Sequence, residues 1–381
     1  MTTEKLTHGP EFEQKLPHEV ERKFLPIFPE HLNEYRAAAW PVEQFYLSHP
    51  SEPFSLRMRE QLKDGELQYV ATLKDTGTVT EDGIDRIEVD VAVTPELYQQ
   101  YSTPDVPVLR KLRAEPLPGI IIDFYEDGSV QVESESPVNW QEFTAKHGDY
   151  FMDITGDRQG NNEWRAHLSF RRTNNGAEAL RPGADLKPQD VVNDILAAAR
   201  PGQATIAHIA GRSGSGKSTI VRQVKAGLDQ LGVPSLTLST DDYHRGITWL
   251  TEYNGGQPWT KWDNAIVYDT EAMARDITEL QAGRPIWHRW IDFSDCEPRY
   301  DEVLQPAPVI IIEGIYAASS DITSQDHLMY EMTTPLATCI GRRLLRDLRE
   351  RPQFADPIMS LGYMLSEAEP AYRRQYTPVN T

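Results

Sequence analysis

Two different patterns of apolar and polar positions divide the chain near residue 175. From about Glu19 to about Phe170, apolar and polar residues alternate in short segments separated by Gly, Pro, Asp and Asn turns, which is typical of antiparallel strands. From Thr205 onward an apolar strand, a Gly-rich turn, an amphipathic helix and another strand follow in order, which predicts a parallel α/β sheet. The sequence therefore predicts two domains: an antiparallel β-barrel or sandwich, and then an α/β domain.

The segment between these patterns predicts a linker and one helix. The stretch "TNNGAEALRPGADLKP" is rich in Gly, Pro and Asn, and "PQDVVNDILAAARPG" follows with Pro188 near the start of a helix and Gly202 past its end. We therefore expect a first domain at 1–175, a linker with a helix at 176–203, and a second domain at 204–381. The segment "EWRAHLSFRR" is strand-like, with Arg165, His167 and Arg171 on one face, but it has no place in the predicted sheet.

Strands of the first domain carry their charges on a single face. In "HEVERKFLP", Glu19, Glu21 and Lys23 lie opposite Val20, Arg22 and Phe24, because successive side chains of a strand alternate. Six later segments repeat this arrangement, with Arg57 and Arg59, Lys74, Arg86 with Glu88 and Asp90, Lys111 with Arg113, Asp123, and Glu133 with Glu135. A solvated outer face explains any one strand, but the signs segregate from strand to strand. A closed barrel with a charged interior would hold a polyanion with its bases and a divalent metal with its acids.

A Gly-rich turn at the start of the second domain predicts a phosphate-binding loop. The strand "TIAHIA" leads into "GRSGSGKST" and then into a helix. Glycines let backbone N–H groups point at phosphate oxygens, and the helix N-terminus adds its dipole. Lys217 would reach the β- and γ-phosphates of ATP, and the Ser218 hydroxyl would bind Mg²⁺. The residues predicted to bind ATP are Gly211, Ser213, Gly214, Ser215, Gly216, Lys217, Ser218 and Thr219.

Carboxylates and arginines elsewhere in this domain are candidates for transfer chemistry. The strand "SLTLS" ends in "TDDYHRG", and the strand "PVIIIEG" ends near Glu313. Asp241, Asp242 and Glu313 could accept a proton from a hydroxyl or hold Mg²⁺, while turn formation or helix capping is the alternative. Four arginines lie within about three helical turns: Arg342, Arg343, Arg346 and Arg351. Their guanidinium groups suit phosphate oxygens, and a solvated basic face is the alternative.

Composition and charge exclude several classes of function. The formal net charge of -20 over 381 residues argues against nucleic acid or an anionic membrane surface as the partner. No apolar run has the length of a membrane span, and "MTTEKLTHGPEFEQK" contains no apolar segment that could serve as a secretion signal. Cys296 and Cys339 are the only cysteines, too few for a disulfide framework, so a cytoplasmic location is expected.

The motifs of the second domain resemble those of the uridine kinase family of P-loop kinases. "GRSGSGKST", "STDDYHRG", "KWDNAIVYD", "PIWHRWIDFS", "IIIEGIYA" and "RRLLRDLRERP" occur in the order and spacing of that family, over about Thr205 to Pro378. The resemblance implies ATP and Mg²⁺ as cofactors, with Glu313 in the metal shell. It implies that Asp241 deprotonates a nucleoside 5′-hydroxyl and that Asp263, with Tyr243, contacts the acceptor. The implied catalytic residues are Asp241, Lys217, Arg346 and Arg351.

One departure from that family concerns the acceptor. Where the family has Tyr-Asp-Phe and then a histidine that recognises the pyrimidine, this chain has Ile291, Asp292 and Phe293 followed by "SDCEPR". Loss of an aromatic platform and a hydrogen bond to the base weakens discrimination among bases. The identity of the phosphoryl acceptor therefore stays open.

The ordered charges of the first domain resemble the CYTH domain, the triphosphate tunnel metalloenzymes. "HEVERKF" has that family's Glu-x-Glu-x-Lys signature, and the match covers about Glu19 to Asp153. The resemblance implies that Mg²⁺ or Mn²⁺ is held by carboxylates from the set Glu19, Glu21, Glu88, Asp90, Glu133 and Glu135. It implies that the phosphate chain is bound by Lys23, Arg57, Arg59, Lys74, Lys111 and Arg113. Hydrolysis of a terminal phosphate is the expected reaction.

Together these resemblances predict a cytoplasmic two-domain enzyme that acts on nucleotides and small phosphate compounds, with a homo-oligomer left open. The second domain would transfer the ATP γ-phosphate to a hydroxyl, and the first would bind or hydrolyse a short phosphate chain. One alternative is that the kinase fold only binds nucleotide and the barrel is the sole enzyme, an inorganic triphosphatase or pyrophosphatase. Another is that the barrel is a non-catalytic sensor of phosphate chains that regulates the kinase.

Overall fold

The structure is a computed structural model that describes residues 16–351 and 356–375. Residues 1–15, in which no secretion signal is expected, and the predicted outer ends of the two domains lie outside the described residues. The chain divides into two compact units. The first contains residues up to Arg181 with Leu336–Gly341 and Asp356–Gly362, and the second contains Pro182–Pro335, Arg342–Ala355 and the chain from Tyr363 onward. In the described part of the chain, none of the helices combines the length and apolar character that crossing a membrane requires.

The first unit consists mainly of strands. They are β1 (His18–Pro26), β2 (Trp40–Tyr46), β3 (Phe54–Lys63), β4 (Glu66–Asp75), β5 (Thr78–Val79), β6 (Ile84–Ala92), β7 (Val108–Leu117), β8 (Ile120–Tyr125), β9 (Val130–Ser134) and β10 (Phe151–Asp153). The helices are α1 (Pro95–Tyr101), α2 (Pro137–His147) and α3 (Asn162–Thr173), with 3-10 turns at Pro29–Ala38 and Arg158–Gly160.

Eight of these strands close into an antiparallel barrel. Their order is β1, β9, β8, β7, β2, β3, β4 and β6, and β6 pairs back onto β1 with Glu19 opposite Arg86. β5 pairs with β6 and β10 with β1, so both extend the wall. Side chains along each barrel strand alternate between the interior and the exterior. The predicted antiparallel barrel is confirmed, and closure brings the charged face of each strand inward.

Apolar side chains on the outer face of one side of the barrel form its core. Phe24 and Val132 pack with Leu32 of the first 3-10 turn and Phe143 of α2, and the Phe24 ring stacks on Trp140 with centroids 3.9 Å apart. These apolar positions alternate with charged positions that face the interior. The outward-facing side chains therefore pack against the covering helix, and the inward-facing side chains line the barrel interior.

The segment at 163–172 is helical, so the strand predicted there is wrong. It forms most of α3, in which Asn162 and Ala166 are both buried at a helical spacing of four. His167 and Arg171, also four apart, share a face in a helix as well as in a strand, because that spacing fits both periods. Alanine, leucine, arginine and glutamate favour the helix. The His167 Nε2 atom pairs with the Ser48 carbonyl at 2.9 Å, and burial lowers the pKa of His167 to about 4.

The rest of the chain alternates strands and helices. The strands are β11 (Thr205–Ala210), β12 (Ser235–Ser239), β13 (Ile286–Asp292), β14 (Glu297–Leu304), β15 (Val309–Gly314) and β16 (Leu328–Glu331). The helices are α4 (Pro188–Ala198), α5 (Lys217–Gln230), α6 (Ile247–Tyr253), α7 (Thr270–Gln281), α8 (Leu336–Glu350), α9 (Pro357–Tyr363) and α10 (Glu369–Gln375). Turns of 3-10 type lie at Thr240–Tyr243 and Ala265–Val267, and a π-helical turn lies at Met364–Ala368.

The core of the second unit is a parallel sheet with both faces covered. Its strand order is β12, β15, β11 and β16. Met273 and Ile277 of α7 pack on one face, while Val191 of α4 and Val224 of α5 pack on the other. Burial on both faces explains the continuous apolar run of β15. The predicted α/β P-loop fold is confirmed, and β13 and β14 form a separate antiparallel hairpin.

Candidate functional sites

The loop from Gly211 to Gly216 joins β11 to α5 and has the geometry of a phosphate cradle. Gly216 precedes the helix with φ +94°, a left-handed conformation that glycine adopts without steric cost. A Cβ on Gly211 would lie 2.8 Å from the Met332 Cβ, so only glycine fits there. The first turn of α5 leaves N–H groups without helical partners, and these face the loop as anion donors.

The lysine and the serine that follow the loop lie at its rim. Lys217 is buried, and its ammonium donates to the carbonyls of Gly211 at 2.9 Å and Arg212 at 2.8 Å. The Ser218 hydroxyl is exposed and donates to Glu313 Oε1 at 3.3 Å. Among the described residues, the buried Ser215 Oγ has no hydrogen-bond partner. The Lys217 ammonium and the hydroxyls of Ser215 and Ser218 thus lie together at one anion-binding loop.

Carboxylates from two strand ends meet beside this loop. Glu313 of β15 lies opposite Ser239 of β12, whose hydroxyl donates to Glu313 Oε1 at 3.3 Å. Burial raises the pKa of Glu313, against the opposing effect of Lys217, and Asp241 adds to the rise. Burial, with a smaller contribution from Asp241, raises the pKa of Asp242 to about 6. Hydroxyl and carboxylate oxygens are the ligands that Mg²⁺ prefers, so Ser218 and Glu313 fit the ion that such a loop uses.

The two residues predicted to contact the acceptor are engaged inside the protein. Tyr243 is buried, and its hydroxyl donates to Asp276 Oδ2 at 2.8 Å. Asp263 is buried and accepts two hydrogen bonds from Arg343, at 2.8 and 2.9 Å, and one from the Tyr363 hydroxyl at 2.8 Å. The arginine and the hydrogen bonds lower the pKa of Asp263 despite its burial. An acceptor hydroxyl would have to share this carboxylate with Arg343.

The arginines predicted to cover the phosphates lie on and just after α8. Arg346 Nη2 donates to Ser213 Oγ in the phosphate loop at 3.2 Å. Arg351, at the end of α8, lies with its guanidinium 4.5 Å from the centre of the Phe293 ring. Arg342 is exposed, and a Cβ built on Gly216 would lie 3.9 Å from its Nη1 atom. Arg342 therefore also borders the loop. The sequence could not show this, because several arginines lie close together in this segment.

The barrel of the first unit encloses a charged cavity of about 930 Å³. Its acidic lining residues are Glu19, Glu21, Glu52, Asp75, Glu88, Asp90, Glu133, Glu135 and Glu163. Its lysines and arginines are Lys23, Arg57, Arg59, Lys74, Arg86, Arg113 and Arg158. All six carboxylates predicted as metal ligands in the barrel line this cavity, as do five of the six predicted phosphate ligands.

The acids of β1 are paired with cations from neighbouring strands. Arg86 Nη2 donates to Glu19 Oε2 at 2.8 Å and to Glu21 Oε1 at 2.6 Å, and Lys74 donates to Glu19 at 2.9 Å. Burial raises the pKa of Glu135 to about 7, and Glu19 contributes to the rise. These carboxylates offer the oxygen ligands that Mg²⁺ or Mn²⁺ binds, and a divalent ion would offset their mutual repulsion. Arg86 was noted on this face in the sequence but not assigned to the site.

The bases of β3 leave hydrogen-bond donors in the cavity wall. The buried Nε atoms of Arg57 and Arg59 have no hydrogen-bond partner among the described residues. The Nη2 atom of Arg57 lies 3.9 Å from Glu88 Oε1, and the Nη2 atom of Arg59 lies 3.9 Å from Asp90 Oδ2. Burial and the neighbouring Arg57 and Arg113 lower the pKa of Arg59 to about 10. Clustered guanidinium groups with unpaired N–H donors favour the binding of an anion.

Lys111, the sixth predicted phosphate ligand, shares the inward face of β7 with Arg113 but is not among the residues that line the cavity. Its ammonium is fully buried and 2.5 Å from Asp123 Oδ2. Asp123 is also buried and accepts two hydrogen bonds of 2.8 Å from Arg113, which does line the cavity. Burial, with the neighbouring Arg113 charge, lowers the pKa of Lys111 to about 7. Alternation alone could not reveal that this position faces a buried carboxylate.

Part of the cavity wall comes from residues that the sequence did not predict. Arg158 of a 3-10 turn and Asn161, Glu163 and Trp164 at the start of α3 all line it. Because this segment was predicted as a strand outside the sheet, no pattern pointed to it. The alternation argument finds only residues that the barrel strands carry.

The solved structure of the inorganic triphosphatase NE1496 is similar to this chain at 23% identity, over 39% of this chain and 93% of its own, with a TM-score of 0.24.

Comparison with known proteins places the second unit in a family. A model of the phosphoribulokinase/uridine kinase family matches residues 206–377. The uridine kinase of Staphylococcus epidermidis is 30% identical over 162 residues, which are 42% of this chain and 75% of that protein. The uridine kinase of Shewanella piezotolerans is 31% identical over 167 residues, 42% of this chain and 76% of that protein. The part of the chain that folds as a P-loop kinase therefore has relatives matched over most of their length, and through it the chain belongs to the phosphoribulokinase/uridine kinase family.

Proposed function

We propose that the second unit transfers the γ-phosphate of ATP to a hydroxyl group of a small molecule of nucleoside type. The observation that carries this proposal is that the Ser218 hydroxyl bonds Glu313 at the phosphate-binding loop, where Lys217 and Asp241 lie near enough to shift the pKa of Glu313. Phosphoryl transfer depends chiefly on positioning and on neutralising charge, and this set supplies an ammonium, a hydroxyl and two carboxylates for that purpose.

Each group has a defined part in the proposed transfer. Lys217 would contact the β- and γ-phosphates, and Ser218 with Glu313 would hold Mg²⁺, which would neutralise the phosphate oxygens when bound. Asp241 accepts the proton of the acceptor hydroxyl as the oxygen attacks the γ-phosphorus. Arg346 and Arg351 contact the transferred group with their guanidinium donors.

The choice of acceptor is the least constrained part of this proposal. Tyr243 donates to Asp276 and Asp263 is held by Arg343, so Asp263 is the better candidate for a sugar hydroxyl because it keeps an ionised carboxylate. Ile291, which stands where the family has an aromatic residue, is buried. With no histidine after Phe293, we expect weak discrimination among bases.

Phosphorus NMR tests the kinase proposal directly. The full-length protein is incubated with Mg²⁺, ATP and a pool of nucleosides, beside Lys217→Ala and a matched control, Lys225→Ala. Lys225 lies on the same helix with its side chain 45% exposed. A phosphomonoester signal that the control keeps and Lys217→Ala loses by about 10²-fold or more supports the proposal. Orthophosphate alone, formed equally in all samples, would leave the P-loop unit as a nucleotide-binding regulator.

We propose further that the barrel binds a short linear phosphate chain with a divalent metal and hydrolyses its terminal phosphate. What supports this is the cavity itself. In the part of the chain that the structure describes, the Nε donors of Arg57 and Arg59 are unpaired at one wall, while Glu19, Glu21 and Glu135 lie on another. A metal held by carboxylates neutralises phosphate oxygens and lowers the pKa of bound water. A sensor of anions alone would need the bases but not the acids.

Removal of the β1 carboxylates separates hydrolysis from sensing. Phosphate release from tripolyphosphate with Mg²⁺ or Mn²⁺ is compared for the native protein, Glu19→Gln with Glu21→Gln, and Glu115→Gln as a control on exposed surface. A hydrolase loses turnover only in the double variant. If the native protein binds tripolyphosphate by calorimetry without releasing phosphate, the barrel is a sensor, and the kinase rate should then respond to the ligand.

A further inference from the structure

Glu163 is a cavity-lining carboxyl that the proposed chemistry leaves without a role. It lies in the first turn of α3, and its side chain faces the cavity of the barrel. The Ser48 hydroxyl donates to Glu163 Oε1 and in turn accepts the Leu56 N–H at 3.0 Å. The carboxyl is therefore held in place by a serine that the β2–β3 connection fixes.

Among the described residues, Glu163 shares with Glu52, Asp75 and Glu135 the lack of a lysine or arginine partner, which the other five of the nine acids in the wall have. Five lining carboxylates, namely Glu19, Glu21, Glu88, Asp90 and Glu133, have a lysine or arginine nitrogen within 4.0 Å. Within the described residues Glu163 has none, and its partners are the hydroxyls of Ser48 and Ser55. A buried carboxyl without a counter-ion is more stable when it carries a proton.

The charged groups that face Glu163 come from the neighbouring strands. They are Glu52 before β3, Arg57 on β3 and the phenol of Tyr46 on β2. Burial is the main cause that raises the pKa of Glu163 to about 7, with Glu52 adding to it and Arg57 and the two hydroxyls opposing it. Near neutral pH the carboxyl is thus poised to give up or take a proton.

Arg57 connects this carboxyl to the proposed substrate. It is 8% exposed, lines the cavity, and donates to Thr72 Oγ1 through Nη2 at 2.9 Å, while its Nε atom has no partner among residues 16–351 and 356–375. A phosphate group bound by Arg57 therefore lies in the part of the cavity that Glu163 faces. A protonated carboxyl can approach a phosphate oxygen there as a donor, whereas a carboxylate would be repelled.

We propose that Glu163 is a catalytic acid of the barrel, which protonates the leaving phosphate; this inference rests on the hydrolysis proposed for the same cavity. The oxygen of water forms a bond to the terminal phosphorus, and the bond from that phosphorus to the bridging oxygen breaks. The Glu163 proton passes to the bridging oxygen of the departing chain. The proton lost by the attacking water returns through solvent to the Glu163 carboxylate, so one water is consumed and the enzyme is restored.

Carboxyl NMR of the full-length protein tests the contact without relying on turnover. Glutamate labelled with ¹³C at Cδ gives a titrating signal that Glu163→Gln lacks, and Mg²⁺ with imidotriphosphate, which is not hydrolysed, serves as the probe. If Glu163 faces the phosphate, its pKa rises by about one unit or more when the probe binds. An unchanged pKa in the presence of bound probe would overturn the inference but not the proposed hydrolysis. No binding of the probe by calorimetry would overturn both.

Kinetics of three variants supply the second arm of the test. In Glu163→Gln, kcat for tripolyphosphate should fall by about 10²-fold with little change in KM, and the alkaline limb of the pH–rate profile should disappear. Ser48→Ala removes a donor to the carboxylate, so the same limb should move to higher pH. Glu115→Gln should match the native protein. Native kcat and an unaltered limb in Glu163→Gln, alongside active native enzyme, would show that Glu163 is only a structural residue.

Discussion

Replacement of Lys111 by methionine should stabilise the barrel rather than weaken it. The lysine is fully buried beside Asp123, and its pKa is lowered from 10.5 to about 7. Because one pKa unit equals about 1.4 kcal/mol, this lowering corresponds to roughly 5 kcal/mol by which the interior disfavours the ammonium relative to water. Asp123 keeps its two hydrogen bonds from Arg113 in the variant, so no carboxylate is left unpaired. Because the disfavoured ammonium is removed while Asp123 stays paired, we expect a gain of up to about 5 kcal/mol in the free energy of unfolding at pH 7.

The pH dependence of the free energy of unfolding gives an independent test of this prediction. Between pH 7 and 10.5 the unfolded chain binds the Lys111 proton more tightly than the folded barrel, so stability from this group rises with pH across that window. Lys111→Met should remove the rise. Hydrogen exchange of β7 and β8 amides in the full-length protein, at pH 7 and pH 9, measures the local opening free energy. A variant that is less stable than the native protein by more than about 2 kcal/mol at pH 7 would refute the reasoning, because the buried pair would then be net favourable.

Four further outcomes follow from contacts in the two units. Asp123→Asn removes the carboxylate that Lys111 and Arg113 share, leaves Arg113 only its longer contact with Glu133, and should cost about 3–5 kcal/mol by the same exchange measurement. Asp263→Asn should cost a similar amount in the second unit, measured by denaturant unfolding. Tyr243→Phe removes the hydrogen bond to Asp276 and should cost about 1 kcal/mol without raising KM for the acceptor; a large KM effect would restore Tyr243 to the acceptor site. Since the pKa of Glu135 is about 7, Mg²⁺ affinity of the barrel measured by calorimetry should fall as pH drops from 8 to 6, and Glu135→Gln should flatten that dependence.

The strands of the barrel could be predicted because one face of each is obliged to be apolar. Val132 on β9 and Phe24 on β1 pack under α2, and the period of two then assigns Glu133 and Lys23 to the interior. The phosphate loop was equally accessible, since its glycines, Lys217 and Ser218 are contiguous in the chain. In both cases the residues that the chemistry needs are close together in the sequence, so their spacing can be recognised directly.

Residues whose role depends on a distant partner could not be predicted in this way. Lys111 has the alternation of a cavity residue, yet its ammonium is buried against Asp123 on the next strand and does not line the cavity. Tyr243 follows two candidate acids directly, but its hydroxyl is taken by Asp276 of α7. Glu163 lay in a segment whose spacing of four suits helix and strand alike. Each outcome was decided by packing between elements that are far apart in sequence.

The two candidate sites meet the cost of holding charge in different ways. The phosphate loop of the second unit relies on backbone N–H groups and on one lysine whose ammonium donates to two carbonyls, so it holds few charges that need a counter-ion. The barrel instead pairs most of its charges in advance, as Arg86 does with Glu19 and Glu21, because unpaired ions in a closed wall would be costly. A phosphate chain that displaced these cations from their acids would leave carboxylates unpaired, and a divalent metal is what would satisfy them. If the barrel has the function proposed here, metal and phosphate bind it together, and each should tighten the binding of the other by the same factor.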